Sequence, residues 1–254
     1  MADSRPILVL KTGEALAPVK EVRGDYERWI AEGMGRSLAP GDVEVAAVHL
    51  GEALPAADRL AGVVVTGSTA MVSAREPWSE RAAAWLADVV ERNAVPVLGL
   101  CYGHQLLAHA LGGEVGPNPN GREMGTVAVH FAPIPDSSAG GEADLLAPLF
   151  EPGVYLGHTS HLEAVLRPPP GARVLARTAL DPHSALRYGP RQWGTQFHPE
   201  FDAEILRGYV EIRREILRGE GRDPDAMIEA IEETPDLARV LERFAAFVEG
   251  RLRR

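Results

Sequence analysis

The feature that most narrows the choice of folds is an alternation in the first half of the chain, where short apolar runs are each followed by an amphipathic stretch. Ile7 to Leu10 reads as a buried strand, with a turn at Gly13 and helical spacing from Tyr26 to Met34. Val43 to Leu50 reads as a second strand and Gly62 to Val65, rich in β-branched residues, as a third. Trp78 to Glu91 has the length of a helix, with Ser79 near its start as a candidate cap. Pro96 to Leu100 is a fourth apolar run, and Tyr102 to Leu111 returns to helical spacing. Runs apolar on every residue suit strands buried on both faces, so this order predicts an α/β fold: a mostly parallel sheet with helices on both faces.

The texture changes after Gly112-Gly113. Gly125 to Phe131, Val154 to Leu156, Ala172 to Thr178, Ser184 to Tyr188 and Gln192 to Phe197 are strand candidates separated by Pro, Gly and Asp turns, the pattern of a hairpin-rich region. Pro168-Pro169-Pro170 is a rigid turn, and Pro135 to Glu142 is the best candidate for a mobile loop. Helices then take over at Ala203 to Leu217, Pro224 to Glu233, and from Asp236 to the basic end Arg251-Leu252-Arg253-Arg254. With no internal repeat or long linker, residues 1–254 are expected to form one domain, a core over 7–201 with a C-terminal helical extension over 202–254.

A net charge of -10 makes nucleic acid and anionic membranes poor partners. Much of that charge belongs to solvated helix faces such as Glu211 to Glu220. The single cysteine, Cys101, allows no intrachain disulfide, which fits a reducing compartment. MADSRPILVL lacks the basic start and long apolar run of a signal peptide, so a cytoplasmic location is expected.

Cys101 sits in the most informative string, Val95-Pro-Val-Leu-Gly-Leu-Cys101-Tyr-Gly-His-Gln. A strand runs into the cysteine and a helix starts after it. Gly99 and Gly103 flank it as G-x-C-x-G, the thiol counterpart of a nucleophile elbow. A helix N-terminus stabilises a thiolate, and the Tyr102 N–H would point toward an oxyanion formed beside the sulfur. On spacing alone, an inert buried cysteine competes on even terms.

The second string is Gln192-Trp-Gly-Thr-Gln-Phe-His198-Pro-Glu200. A strand ending at Phe197 would leave His198 at its C-terminal tip, where active groups gather in open parallel sheets. His198 could take the thiol proton and later protonate a leaving amine, while Glu200, two residues on across a proline, could fix its tautomer. Taken alone, the tripeptide also reads as a surface turn capping the next helix.

Gly99-Leu-Cys101-Tyr-Gly103-His-Gln105 together with Gln196-Phe-His198-Pro-Glu200 resembles the class I glutamine amidotransferases, and the amidotransferase domain of GMP synthetase in particular. Val63-Val-Val-Thr-Gly67-Ser68 adds a segment similar to the family's oxyanion strand. The resemblance spans about Ile7 to Phe201. It implies a flavodoxin-like sheet and a triad of Cys101 as nucleophile, His198 as acid-base and Glu200 as its orienter. It also implies an oxyanion hole from the N–H groups of Gly67 and Tyr102, and substrate contacts from Gln105, Ser160 and His161. The implied reaction converts glutamine to glutamate and ammonia through a γ-glutamyl thioester, with no metal or organic cofactor.

Other residues carry weaker readings. His158 and His161 have H-x-x-H spacing, but a strand does not place residues three apart on one face, and no cysteine pair accompanies them. His104 and His109 read as packing or surface groups, and Trp78 and Trp193 as core or pocket walls. Gly121-Arg-Glu123-Met-Gly125 resembles a family segment; Glu123 could contact the glutamine or cap a turn, and the structural role is the one expected.

Three functions follow from these residues. One is a glutaminase feeding ammonia to a partner synthase. The second is a free-standing hydrolase or transferase of γ-glutamyl peptides or amines, its pocket built by the helices after Glu200 and the Asp25 to Trp29 region. The third is a non-enzymatic redox or chaperone-like protein using Cys101, which His198 and Glu200 argue against. No S-G-G-x-D-S or G-x-x-x-x-G-K-S/T loop is present, so no ATP-using step is assigned to this polypeptide. Oligomeric state is not legible.

Overall fold

Side chains on a strand alternate between two faces, and the strands of the first half do so against two separate apolar layers. The computed structural model describes residues 5–39, 41–133 and 151–250. Strands β1 (Ile7–Lys11), β2 (Val43–Ala47), β3 (Gly62–Val65) and β4 (Val97–Leu100) run parallel to β11 (Gln192–Thr195). Ile7, Val9, Val64, Leu98 and Leu100 point into one core; Leu8, Leu10, Val63, Val65 and Val97 point into the other.

Helices cover both layers. The first core is closed by α2 (Tyr26–Gly33), α5 (Ala203–Ile212) and α8 (Pro235–Val248), through Trp29, Ile30, Leu206 and Phe244. The second is closed by α3 (Pro77–Glu91) and α4 (Tyr102–Ala110), through Leu86, Val89, Leu106 and Leu107. These stripes recur at helical spacing, which is why the segments fold as helices against the sheet.

The remaining strands extend the same sheet in antiparallel fashion: β6 (Glu123–Phe131), β7 (Gly153–His161), β9 (Arg173–Arg177) and β10 (Ala185–Gly189). The full order is β2-β1-β3-β4-β11-β10-β9-β6-β7, and β5 (Glu114–Pro117) pairs with β8 (Glu163–Arg167) as a separate ribbon. The expected α/β architecture with a hairpin-rich second half and C-terminal helices is thus observed.

Several boundaries differ from the expectation. Val43 to Leu50 is strand only to Ala47, because Val48–Leu50 closes as a 3₁₀ turn onto Gly51 in the left-handed region. The Val154 to Leu156 run is the start of a nine-residue strand. Ala203 to Leu217 is interrupted at Arg213, leaving α5 and a short α6 (Arg214–Gly219), and the next helix, α7 (Pro224–Glu229), stops before Glu233. Ser79 does not cap α3; its hydroxyl meets the Tyr102 hydroxyl at 2.6 Å. A helix over Ala17–Arg23, α1, together with β5 and β8, had no counterpart in the sequence reading. The expected loop at Pro135 to Glu142 and the basic end at Arg251 lie outside the described residues. Among those described, no helix is long and apolar enough to cross a membrane.

Candidate active site

Cys101 follows β4 and precedes α4 with φ 49° and ψ -99°, a conformation sparsely populated by non-glycine residues. The elbow is held because its flanks cannot be larger. A Cβ on Gly99 would stand 2.5 Å from the Gly103 carbonyl oxygen, and one on Gly103 would stand 2.5 Å from that of Val65. The Cys101 N–H donates to the Thr195 carbonyl at 2.7 Å, tying the elbow to β11.

Gly67 packs at the end of β3, where an added Cβ would lie 3.2 Å from Cε1 of His198. The Thr66 carbonyl accepts from the Gly103 N–H at 3.2 Å and the Thr12 hydroxyl at 2.9 Å. In a trans peptide the following N–H points the opposite way, so these bonds fix the direction of the Gly67 N–H. The Tyr102 N–H is the first of α4 and has no acceptor within its own helix. Burial pushes the Tyr102 phenol up to about 12, and its ring stacks on Trp78 with centroids 5.7 Å apart.

The chain leaves β11 at Thr195, two residues before Phe197, and the His198 N–H donates to the His158 carbonyl at 2.8 Å. His198 Nδ1 meets Glu200 Oε1 at 2.7 Å, and both residues are buried. The imidazole stacks on Phe201 at 4.0 Å between centroids. Burial alone would lower the His198 pKa, but the Glu200 and Cys101 charges and hydrogen bonds overcome this and raise it to about 10. The arrangement favours a protonated imidazole beside Glu200 and the Cys101 sulfur.

The recess before Cys101 brings together Tyr102, Gln105, Ser160 and His161. Wider hollows along β6, β7 and β9 contain no cysteine. Gln105 Nε2 donates to the Glu163 carbonyl at 2.7 Å and to Gln196 Oε1 at 2.9 Å, so its oxygen is what it can offer a ligand. The Ser160 Oγ is buried with no partner among the described residues. His161 is held by its neighbours, with Nδ1 2.9 Å from the Glu163 carbonyl and Nε2 3.2 Å from Glu123 Oε2. Glu123 also accepts from the Thr178 hydroxyl at 2.7 Å. Burial would raise its pKa, but the His161 and Thr178 hydrogen bonds hold the carboxyl below its ordinary range, in keeping with a structural role.

The remaining sequence candidates are spread through the framework. His158 and His161 lie three apart on β7, and among the described residues no group of three or more His, Cys, Asp or Glu side chains is suited to a metal. His104 is buried against Tyr188, His109 meets Glu80 at 3.0 Å, and Trp193 is in the core. The Asp25 to Trp29 segment does not line the recess. Asp25 caps α2 and pairs with Lys11 at 2.8 Å, while Trp29 packs in the core. Gln196 and Arg213 are among the residues at this candidate site that have no role in the sequence analysis. Gln196 donates to Cys101 Sγ at 3.4 Å, and Arg213, at the break between α5 and α6, lines the recess. Gln196 stands in the recognised motif; Arg213 carries no signal, being one arginine in a charged helical stretch.

Comparison with known proteins bears on the family. The model of the glutamine amidotransferase class I family matches residues 36–207. A glutamine-hydrolyzing GMP synthase of Aeropyrum pernix is 43% identical over 168 residues, 64% of this chain and 29% of that protein. A shorter relative from Ignicoccus hospitalis, itself one of the subunits of a glutamine-hydrolyzing GMP synthase, is 43% identical over 124 residues, 46% of this chain and 60% of the relative. The chain therefore spans less than two thirds of these relatives. A glutamine amidotransferase structure from Methylobacillus flagellatus superposes with a TM-score of 0.73 at 24% identity, covering 98% of this chain and 96% of that one, a likeness of fold. With a family model matching well over half its length and the same fold in that structure, this chain belongs to the class I glutamine amidotransferases.

Proposed function

We propose that the chain hydrolyses the side-chain amide of glutamine and delivers the ammonia to a partner synthase, with Cys101, His198 and Glu200 as its triad. The observation that carries this reading is the buried 2.7 Å His198–Glu200 pair beside a cysteine on a strained elbow. A hydrogen-bonded orienter and a charged imidazole are what a thiolate nucleophile needs.

The thiolate attacks the γ-carbonyl, and the Gly67 and Tyr102 N–H groups receive the oxyanion. Collapse of the tetrahedral species breaks the C–N bond, His198 protonates the nitrogen, and ammonia leaves. In the resulting thioester Cys101 carries no charge, so one cause of the raised His198 pKa is gone. The neutral imidazole then takes a proton from water, whose oxygen attacks the thioester. Glutamate departs and the thiolate–imidazolium pair is restored. The chain's own residues supply every proton transfer.

Delivery to a synthase is supported by the GMP synthase relatives. The continuous sheet, of nine strands among the described residues, supports reading 1–254 as one amidotransferase unit. The alternative, a free-standing γ-glutamyl hydrolase, draws support from Arg213, which brings the C-terminal helices into the recess wall.

Release of ammonia and glutamate from glutamine, measured for the native chain and for Cys101→Ala, tests the reading. Native turnover should fall by roughly 10³-fold or more in Cys101→Ala. Equal release by the two proteins would reject it; release from γ-glutamyl peptides but not from glutamine would select the alternative.

A further inference from the structure

Among the described residues that line the recess, Arg213 stands out because the reaction leaves its polar chemistry without a use. It sits between α5 and α6, beyond residues 36–207 that the family model matches. Its position is fixed by an aromatic ladder from the acid-base: Phe201 stacks on His198, Tyr209 packs against Phe201 at 4.9 Å, and the Arg213 guanidinium lies 5.2 Å from the Tyr209 ring centroid. The Tyr209 hydroxyl is in turn held by that of Tyr26 at 2.9 Å.

The guanidinium is incompletely compensated by protein. Its Nη1 is buried and has no hydrogen-bond partner among the described residues. Burial holds its pKa below the ordinary range, and the neighbouring Arg122 adds like-charge repulsion. Arg122 lines the same recess, but Glu220 accepts from its Nε at 3.0 and 3.2 Å. Leaving a charged donor buried and unpaired is expensive unless a ligand completes it. The Ser160 hydroxyl, on the same recess wall, is likewise buried and has no partner among the described residues. Glu163 also lines the recess, but its carboxylate is engaged by the Ser73 hydroxyl and N–H.

From this juxtaposition we infer that Arg213, with Ser160, anchors a carboxylate of the substrate, and so selects γ-glutamyl compounds that carry one. Guanidinium and carboxylate form short, charge-assisted hydrogen bonds, and a rigidly stacked arginine loses little entropy in making them. Two carboxylates could fill the role: the α-carboxylate of the glutamyl half, or one on an amino-acid leaving group. The inference rests on the proposed γ-glutamyl chemistry, but it concerns binding and can be tested apart from turnover.

The test is calorimetric binding of L-glutamine, γ-glutamylglycine and the neutral α-carboxamide of glutamine to Cys101→Ala, with and without Arg213→Met or Arg213→Lys. Circular dichroism and thermal melting would establish that each variant is folded. Arg213→Met should weaken glutamine and γ-glutamylglycine by roughly tenfold or more if the α-carboxylate is held. It should weaken γ-glutamylglycine alone if the leaving group's carboxylate is held. In either case Arg213→Lys should recover part of the loss, and the carboxamide should be unaffected. Uniform weakening of all three ligands would make Arg213 merely structural and overturn the inference, as would unchanged binding of the acids or no binding of any ligand. Arginine-dependent binding without ammonia release by the native chain would instead refute the proposed reaction and leave Arg213 as a carboxylate site.

Discussion

Two buried histidine–carboxylate pairs flank the recess, one from each half of the sheet. His198–Glu200 follows β11, the last of the parallel strands, at 2.7 Å; Glu123–His161 bridges β6 and β7 of the antiparallel half at 3.2 Å. Their surroundings divide their roles. His198 has one nitrogen on the carboxylate and Cys101 as the remaining source of charge and hydrogen bonding, whereas both nitrogens of His161 lie against acceptors of the framework. The same pair of residue types is thus a candidate acid-base on one side and a brace for the recess wall on the other. The difference lies in what the second nitrogen meets.

Matched substitutions put that contrast to its most severe test. Glu200→Gln should reduce kcat by roughly 10³-fold, about 4 kcal/mol of barrier. The replacement is nearly isosteric, and the buried Glu200 Oε2 has no partner to lose among the described residues. Because the Glu200 charge leads the causes that raise the His198 pKa, the alkaline limb of the kcat/KM profile should also move to lower pH. Glu123→Gln should lower kcat less than roughly tenfold and act mainly through KM, since the pair it breaks positions the wall. Equal losses of kcat from the two variants would erase the distinction.

Glycine pairs sharpen the comparison in stability. Gly103→Ala places a Cβ 2.5 Å from the Val65 carbonyl oxygen and 2.7 Å from Val65 Cβ, inside the parallel sheet–helix contact where backbone cannot withdraw. A destabilisation of about 3 kcal/mol is expected. At Gly157, on β7, an added Cβ meets only side-chain atoms at closest approach, Leu237 Cδ1 and Val129 Cγ2 at 3.0 Å. Those methyl groups can shift, and about 1 kcal/mol is expected. Urea midpoints of the two variants measure both; a tolerant Gly103 would mean the elbow is less tightly packed than these distances require.

The same division governs what could be read from sequence. In the parallel half β1 and β3 are apolar on both faces along almost their whole length, so Ile7 to Leu10 and Gly62 to Val65 are legible almost to the residue, and the motif strings single out Cys101, His198 and Glu200 as candidates. In the antiparallel half, buried polar residues held by tertiary hydrogen bonds interrupt the apolar runs. β8 begins with Glu163, buried because Ser73 binds it, and β7 ends in Ser160 and His161, which line the recess; neither strand therefore looked apolar from end to end. α1 buries only Val19 and offers almost no stripe to detect. Arg213 stayed hidden for a different reason. The apolar and charged spacing runs unbroken through 203–217, so nothing local marks the interruption at Arg213, whose guanidinium packs over Tyr209.

A pH-dependent effect concerns the seam where the halves join. His104 on α4 is fully buried beside β10 and β11; its Nε2 lies 3.0 Å from the His183 carbonyl and its Nδ1 2.9 Å from the Tyr188 hydroxyl. Burial lowers its pKa to about 3, and burial followed by the His198 charge lowers that of His158, on β7, to about 4. Unfolded, both would titrate near 6.5, so the unfolded chain binds more protons in the interval between. Their contribution to stability is present above pH 6.5 and is lost as pH falls toward about 4 and then about 3. His198 has the opposite sign: raised to about 10, its contribution is complete below pH 6.5 and is lost as pH rises toward about 10. Between pH 7 and 4.5 His104 alone should reduce the unfolding free energy by roughly 2 kcal/mol, read from urea midpoints at each pH. NMR titration assigns the loss: the His104 ring should stay neutral down to pH 4.5. Protonation near 6.5 instead would mean that water reaches the seam and that the two halves open there independently.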